Sequence, residues 1–507
     1  MKSTNEFQAP DQGIITIAKG AGIVFIGTLI GSGLRYLFQI IVARNLGPEL
    51  FGFFFLGFAV FRLAGVIAEM GLPSGVARYV AVFQAEGDER RIKGIIISTL
   101  KFALLSGLVV ASLLILLSRT LALSLFHHIE LENVLRLFAM VIPFTTLTTM
   151  MVFSTQGFKI MEYTVIVREI FEPSSRILLV SILFLLGWKL NGVMLVYLIV
   201  AILGTILGYH CLKRVFPQIT REELQPIYET KKLLNFSWPL LFVQFFSLTN
   251  LWIDTVMLGH FRTSQEVGIY SAAQRTALLG TLLIFSFNTI FAPVISDLHA
   301  KGRFCELSNY FKTTAKWTFT FNFPLFLIMV FFAESILNIF GSEFVSEATS
   351  LIILSIGWLV LSGTGSGNQI ITMSGRSKLS LTNISFVLVT NILLNLLFIP
   401  KYGASGAALA TAVSISLGSL IALLEVNAIL KIHPYRLDFF KPLMAGCMSL
   451  GVLFVLERYM LQDHDFTLFL ALILIFMLIY SSMLFLFGMS EEDKIILKRL
   501  KRRLFSH

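Results

Sequence analysis

Apolar runs of eighteen or more residues recur along the whole chain, separated by short polar pieces. Each is long enough to cross roughly 30 Å of hydrocarbon as a helix. The pattern predicts about fourteen spans, near 17–41, 49–69, 93–117, 134–154, 162–186, 191–211, 233–257, 267–291, 315–339, 347–373, 379–399, 403–427, 438–456 and 466–488. The fifth carries charge in its first half, and the eighth contains Gln274 and Arg275. Between the first two runs, "ARNLGPE" reads as a turn, with Gly47 and Pro48 stopping one helix and opening the next.

Lysine and arginine collect on alternate connections. One set holds Arg78, Arg90, Arg91 and Lys93, then Lys159, then Lys213, Arg214, Arg221, Lys231 and Lys232. Lys301, Arg303, Lys312, Arg376, Lys378, Lys431, Arg436, Lys441 and the tail "KIILKRLKRRLFSH" continue it. The opposite set is sparse or acidic, with Glu334, Glu343 and Glu347 on one connection and Glu457, Arg458, Asp463 and Asp465 on another. Basic connections stay in the cytoplasm, so an even number of spans and two cytoplasmic termini are expected.

A weak internal repeat accompanies this alternation. Pairing Gly47 with Gly259, Gly157 with Gly375 and Gly192 with Gly406 gives separations of 212, 218 and 214 residues. That spacing predicts two pseudo-repeated six-helix bundles, at 1–214 and 233–431, joined by a cytoplasmic linker at 215–232. Two further helices over 432–490 and a basic cytoplasmic tail at 491–507 complete the expected organisation. Repeated halves facing a central cavity are a common transporter plan.

Composition agrees with an all-α polytopic membrane protein. Hydrophobic residues make up 56 % of 507, charged residues only 14 %, and the mean hydropathy is +0.81. Soluble chains are about 45–50 % apolar and about 25 % charged. The polar opening "MKSTNEFQAPDQGI" lacks the features of a cleaved signal, so the first span is read as a retained helix. Cys211, Cys305 and Cys447 give no disulfide framework. The pI near 9.4 comes from residues spread over many short connections, the pattern of a topology signal and not of nucleic-acid binding. No P-loop, HExxH or GxSxG occurs, and no cofactor is expected. His127 and His128 lack suitably placed further ligands for zinc and are read as exposed.

The informative residues are charges inside apolar runs, because such groups need a carboxylate, water or an anionic ligand. Gly27, Gly31 and Gly33 make a small-residue face on the first span, just before Arg35. Arg62 lies near the middle of the second. Arg168, Glu172 and Arg176 fall at i, i+4 and i+8 in the fifth, with Glu169 close to their face and Pro173 able to kink the helix. That stripe is either an internal salt-bridge ladder or a substrate-facing surface. Asp254 near the end of the seventh span and Arg275 in the eighth form an ion-pair or coupling candidate, as does Glu172. Trp188, Trp238 and Trp252 lie towards span ends, where interfacial rings are expected. Arg35, Arg62, Arg176 and Arg275 outnumber the acids expected at similar depth, and surplus positive charge favours an anionic substrate.

The text "GIVFIGTLIGSGLRYLFQIIVARNLGPELFGFFFLGFAV" resembles the amino-terminal region of prokaryotic polysaccharide-biosynthesis flippases of the multidrug/oligosaccharidyl-lipid/polysaccharide exporter superfamily. "VGIYSAAQR" (267–275) and "PKYGASGAALATAVS" (400–414) are similar to that family's eighth helix and its eleventh-to-twelfth turn. The resemblance covers nearly the whole chain and implies a MATE-like arrangement in the cell membrane. It also implies alternating-access flipping of a polyprenyl-pyrophosphate-linked saccharide, with membrane lipids, and a polymerase or glycosyltransferases, as partners. In the lipid II flippases of the superfamily, arginines of helices 1, 2 and 8 are thought to engage pyrophosphate, which by position implies Arg35, Arg62 and Arg275. Two alternatives are a multidrug or organic-cation exporter, which should prefer buried carboxylates, and a membrane glycosyltransferase or polymerase, which commonly needs a sizeable external loop.

Overall fold

The computed structural model describes residues 9–460 and 466–488, with side chains over most of 22–455 and 469–488. The tail expected over 491–507, together with Asp463 and Asp465, lies outside the described residues. Among the described residues the protein is all-helical, and ten helical stretches are long and apolar enough to cross a membrane. Those ten stretches cover twelve of the fourteen apolar runs, because Gly22–Glu86 and Ser377–Leu430 each contain two. The fifth and eighth runs are helical too, but broken. Leu278–Gly280 interrupts the eighth as a 3₁₀ turn between Ser264–Ala277 and Thr281–Ala300.

The double stretches cannot run straight. Helix over the 54 residues of Ser377–Leu430 would extend about 80 Å, far beyond the roughly 30 Å hydrocarbon layer. Each one turns at a glycine held at positive φ, Gly47 (φ 72°) in Ala9–Glu69 and Gly403 (φ 57°) in Ser377–Leu430. L-residues with a Cβ avoid this region. Pro48 follows Gly47 directly, at a place where its missing N–H leaves no helical bond unmade. The short turn read from "ARNLGPE" is therefore even tighter than a loop.

A second device was not anticipated from the apolar runs. Met70 (φ 51°) and Gly71 (φ 68°) break the chain again, and the amphipathic helix Leu72–Glu86 follows. It buries Leu72, Val76, Val80 and Phe83 while presenting Arg78 to the Phe236 ring, 4.3 Å from its centroid. Gly87 ends it, and the Asp88 side chain accepts from Arg91 N–H to start Glu89–Thr120.

Packing divides the chain into two compact units, Met1–Ala272 with Asn395–Ala404, and Ala273–Leu394 with Ser405–His507. In the first, Leu131–Gly157 is central, packing on Glu89–Thr120, Leu190–Val215 and the first helical pair. Its threonines are satisfied locally: Thr148 and Thr149 each donate to the carbonyl four residues back, and Thr148 Oγ1 lies 3.1 Å from Thr205 Oγ1 of Leu190–Val215. The linker after Val215 is folded onto the start of Glu89–Thr120. Ile227 N–H donates to Arg90 O (3.1 Å), Arg90 Nε to Gln225 O (3.0 Å) and the buried Lys93 Nζ to Arg221 O (2.5 Å). In the second unit, Phe440–Met460 and Phe466–Leu486 pack on each other and on Phe304–Phe331. There Tyr480 O–H donates to Thr320 O at 2.8 Å.

Candidate functional site

The first unit gathers the charges that the sequence scatters over three spans. Arg35 stands 12 residues before Gly47 and Arg62 15 residues after it. At 1.5 Å per residue both lie about 18–22 Å from that corner, so the hairpin brings them to comparable depth. The fifth span supplies the rest, and it is not a plain helix. Glu162–Thr164 passes into a π-helix, Val165–Phe171, before α-helix resumes at Glu172–Leu185. π-Helical turns inside α-helices shift the register and cluster at functional positions. Pro173 falls in the first turn of the resumed helix, where it is tolerated.

That register shift alters the expected i, i+4, i+8 stripe. Glu169 points away from that face to the first span, where its Oε2 accepts from Arg35 Nη1 at 2.7 Å, while Arg35 Nη2 donates to Ser32 Oγ at 3.0 Å. Glu172 and Arg176 keep α-helical spacing and pair at 2.7 Å. The Arg176 guanidinium also lies over the Tyr197 ring, 4.5 Å from its centroid. The glycine face of the first span allows the approach. A Cβ on Gly27 would collide with the Val165 side chain, and one on Gly31 would meet the Glu169 carbonyl oxygen at 2.8 Å.

Arg62 and Arg168 complete the group. Arg62 is exposed, and Glu69, Arg168, Tyr197 and Arg176 all act on it electrostatically. No carboxylate oxygen stands within 4 Å of either Arg62 or Arg168 among the described residues. Four guanidinium groups therefore meet only two carboxylates in direct contact, Glu169 and Glu172. Arg176 Nε is buried without a hydrogen-bond acceptor. The site thus holds unfilled N–H donors and positive charge, suited to phosphate or carboxylate oxygens. An aromatic bed lies beneath it: Tyr197 sits 5.7 Å from Phe54, 5.8 Å from Phe58 and 5.6 Å from Phe138, ring centre to ring centre.

Asp254 is elsewhere in the same unit and fully buried. Its Oδ2 accepts from Tyr270 O–H (3.0 Å) and its Oδ1 from Asn395 Nδ2 (2.7 Å). Arg275 is half-buried and belongs to the second unit. Of the four arginines singled out from the sequence, Arg35, Arg62 and Arg176 thus share one cluster. Arg168 joins them as a site member, and Tyr197 was missed altogether, being one tyrosine in the apolar run "GVMLVYLIV". Trp252 needs correction: it is only 2 % exposed, stacked on Phe55 and edge-on to Phe58, not interfacial. His127 is exposed as read, but its ring lies 5.4 Å from His260, and His128 packs edge-on to Phe53.

Comparison with known proteins places this arrangement. The family described as polysaccharide biosynthesis protein matches residues 17–299, and the MatE family matches 239–397. A Haloferax volcanii protein described as a "probable low-salt glycan biosynthesis flippase Agl15" is 25 % identical over 423 residues, covering 80 % of this chain and 82 % of that one. Among solved structures, lipid II flippase MurJ in an inward closed conformation superposes with a TM-score of 0.73 at 19 % identity, covering 93 % of this chain and 100 % of that one. An inward-facing multidrug resistance MATE transporter gives 0.69 at 15 % identity, covering 79 % and 94 %. The fold is MATE-like. The chain belongs to the polysaccharide biosynthesis protein family, as a multi-pass membrane transporter of the superfamily that also holds flippases and MATE transporters.

Proposed function

We propose that the protein flips a polyprenyl-(pyro)phosphate-linked oligosaccharide from the inner to the outer leaflet of the cell membrane, for surface polysaccharide or glycan assembly. The observation that carries this reading is the surplus of arginine over carboxylate at membrane depth in the first unit. A hydrated saccharide bearing an anionic pyrophosphate meets a large barrier in hydrocarbon. Guanidinium groups that lack acceptors lower that barrier where the phosphates pass, while the polyprenyl tail stays in lipid. Arg35, Arg62, Arg168 and Arg176 engage the phosphates.

The same reading takes fourteen spans, two six-helix repeats over 1–214 and 233–431, and cytoplasmic termini from the lysine and arginine asymmetry. Asp254 is the coupling candidate: a fully buried carboxylate that accepts from Tyr270 and Asn395 takes up a proton or cation during the cycle. Family membership and the glycan flippase relative support the substrate class. An organic-cation exporter is disfavoured by the same arginines, which repel its cargo.

The test is headgroup translocation of a defined lipid-linked oligosaccharide in vesicles containing only this protein, with product analysis to exclude sugar transfer. Arg62→Ala should abolish translocation with folding retained. Unchanged translocation at equal protein amount would sink the assignment.

A further inference from the structure

We infer that Glu169 and Glu172 are built-in stand-ins for the anionic headgroup, which occupy the arginines in the empty protein and give them up when phosphate arrives. This rests on the proposed anion site and adds specificity-determining residues to it. Like charges in one cluster repel, and Arg168 and Arg176 both act on Arg62. Two of the four guanidinium groups are quieted by carboxylates contributed by a single segment, Arg35 by Glu169 and Arg176 by Glu172, each at 2.7 Å.

The local build favours exchange over a permanent lock. Arg35 remains 39 % exposed with its carboxylate partner at 19 %, so that pair stands at the open side of the cluster. Glu169 sits in the π-helical turn, a distortion of the helix that recurs at functional sites. Glu169 lies directly against Gly31, which has no Cβ to displace its carboxylate from Arg35. Arg176 keeps its Nε without an acceptor although Glu172 is present. An oxyanion with more oxygens than a carboxylate fills what the glutamates leave empty. Arg62 and Arg168, which have no carboxylate in contact, supply the net attraction that draws the headgroup in.

Two consequences distinguish this from a structural ion pair. Removing an internal competitor strengthens anion binding, whereas removing a structural brace weakens it. Release also slows, because the returning carboxylates help expel the phosphate. Translocation should then show a lower KM and a lower kcat together.

The experiment uses the full-length purified protein in detergent, with inorganic pyrophosphate as the probe. Glu169→Gln and Glu172→Gln should each bind pyrophosphate about tenfold more tightly than the unchanged protein, with thermal unfolding showing a folded chain. In the unchanged protein, pyrophosphate should increase carbodiimide labelling of Glu169 and Glu172, read by mass spectrometry; this arm needs no variant. Equal or weaker binding by both glutamine variants, or labelling that pyrophosphate leaves unchanged or suppresses, overturns the stand-in role. Arg62→Ala separates the two levels. If it abolishes pyrophosphate binding while the glutamate results fail, the anion site stands and this inference falls. If binding ignores Arg62, both fall.

Discussion

The two units treat polar groups at membrane depth in opposite ways. The first concentrates full charges, with Arg35, Arg62, Arg168 and Arg176 around Glu169 and Glu172. The second relies mainly on amides and hydroxyls. Asn391 Nδ2 donates to Thr411 Oγ1 at 3.1 Å and reaches Ser414 Oγ at 3.4 Å. Its half-buried Glu425 accepts from Asn383 Nδ2 at 2.6 Å. Neutral links of this kind hold helices together for a modest free energy each, because the separated helices find other partners. Charges are far harder to keep in hydrocarbon and persist where they face water, a counter-ion or a ligand. The difference separates the region proposed here to recognise an anion from networks that mainly shape the bundle.

Breaking the charged side should have the largest effect. Arg62→Ala is expected to lower vesicle translocation at least 100-fold, a loss in keeping with removal of a charge-assisted contact and its field, about 3 kcal/mol. Arg62→Lys keeps the charge but not the planar fork, so partial recovery would show that charge matters more than geometry. Full activity of Arg62→Ala at matched protein levels contradicts the comparison at its root.

Asp254→Asn comes next. It preserves the shape of a fully buried carboxylate and keeps one oxygen to accept from Asn395, while the tyrosine hydroxyl must turn to accept from the new amide, and it removes the titration. Translocation should fall roughly tenfold and lose its dependence on the imposed proton or sodium gradient, with headgroup binding retained. A gradient dependence equal to that of the unchanged protein excludes Asp254 from coupling.

Smaller again is Gly31→Ala. The added methyl meets the Glu169 backbone and should displace the π-helical turn, lowering the thermal midpoint by a few degrees, for about 1–3 kcal/mol of overpacking. The smallest effect belongs to the neutral side: Asn391→Ala should destabilise by about 0.6–1.7 kcal/mol and leave pyrophosphate binding unchanged. Loss of pyrophosphate binding in that variant would erase the contrast between the units.

Much of this organisation was legible in the chain because membrane spans are written in long apolar runs. The corners at Gly47 and Gly403 were visible for the same reason, since a glycine beside a short polar break interrupts a run that otherwise continues. The arginines stood out as charges where none belong. Other features leave no such mark. "VIVREIF" has the composition of an ordinary helix, and nothing in it announces a π-helical register. Glu169 is placed by local spacing only close to the charged face of its own span, because spacing is all that a sequence offers, whereas its partner is on the first span. Leu72–Glu86 escaped notice because an amphipathic helix with Arg78 and Glu86 is too polar to count as a run. Tyr197 and Trp252 are single rings in apolar text, and only packing tells which of them meets a guanidinium and which is stacked among phenylalanines.

The Arg35–Glu169 pair also has a history within each molecule. Its members are separated by 134 residues, and ribosomes add about 5–20 residues per second. Arg35 is therefore made about 7–27 s before its carboxylate. During that interval the nascent hairpin carries Arg35 and Arg62 without Glu169 or Glu172. The insertion machinery or nearby lipid phosphates must shelter both arginines until the fifth span arrives, so a mutation in that span can be read out first as a defect in biogenesis.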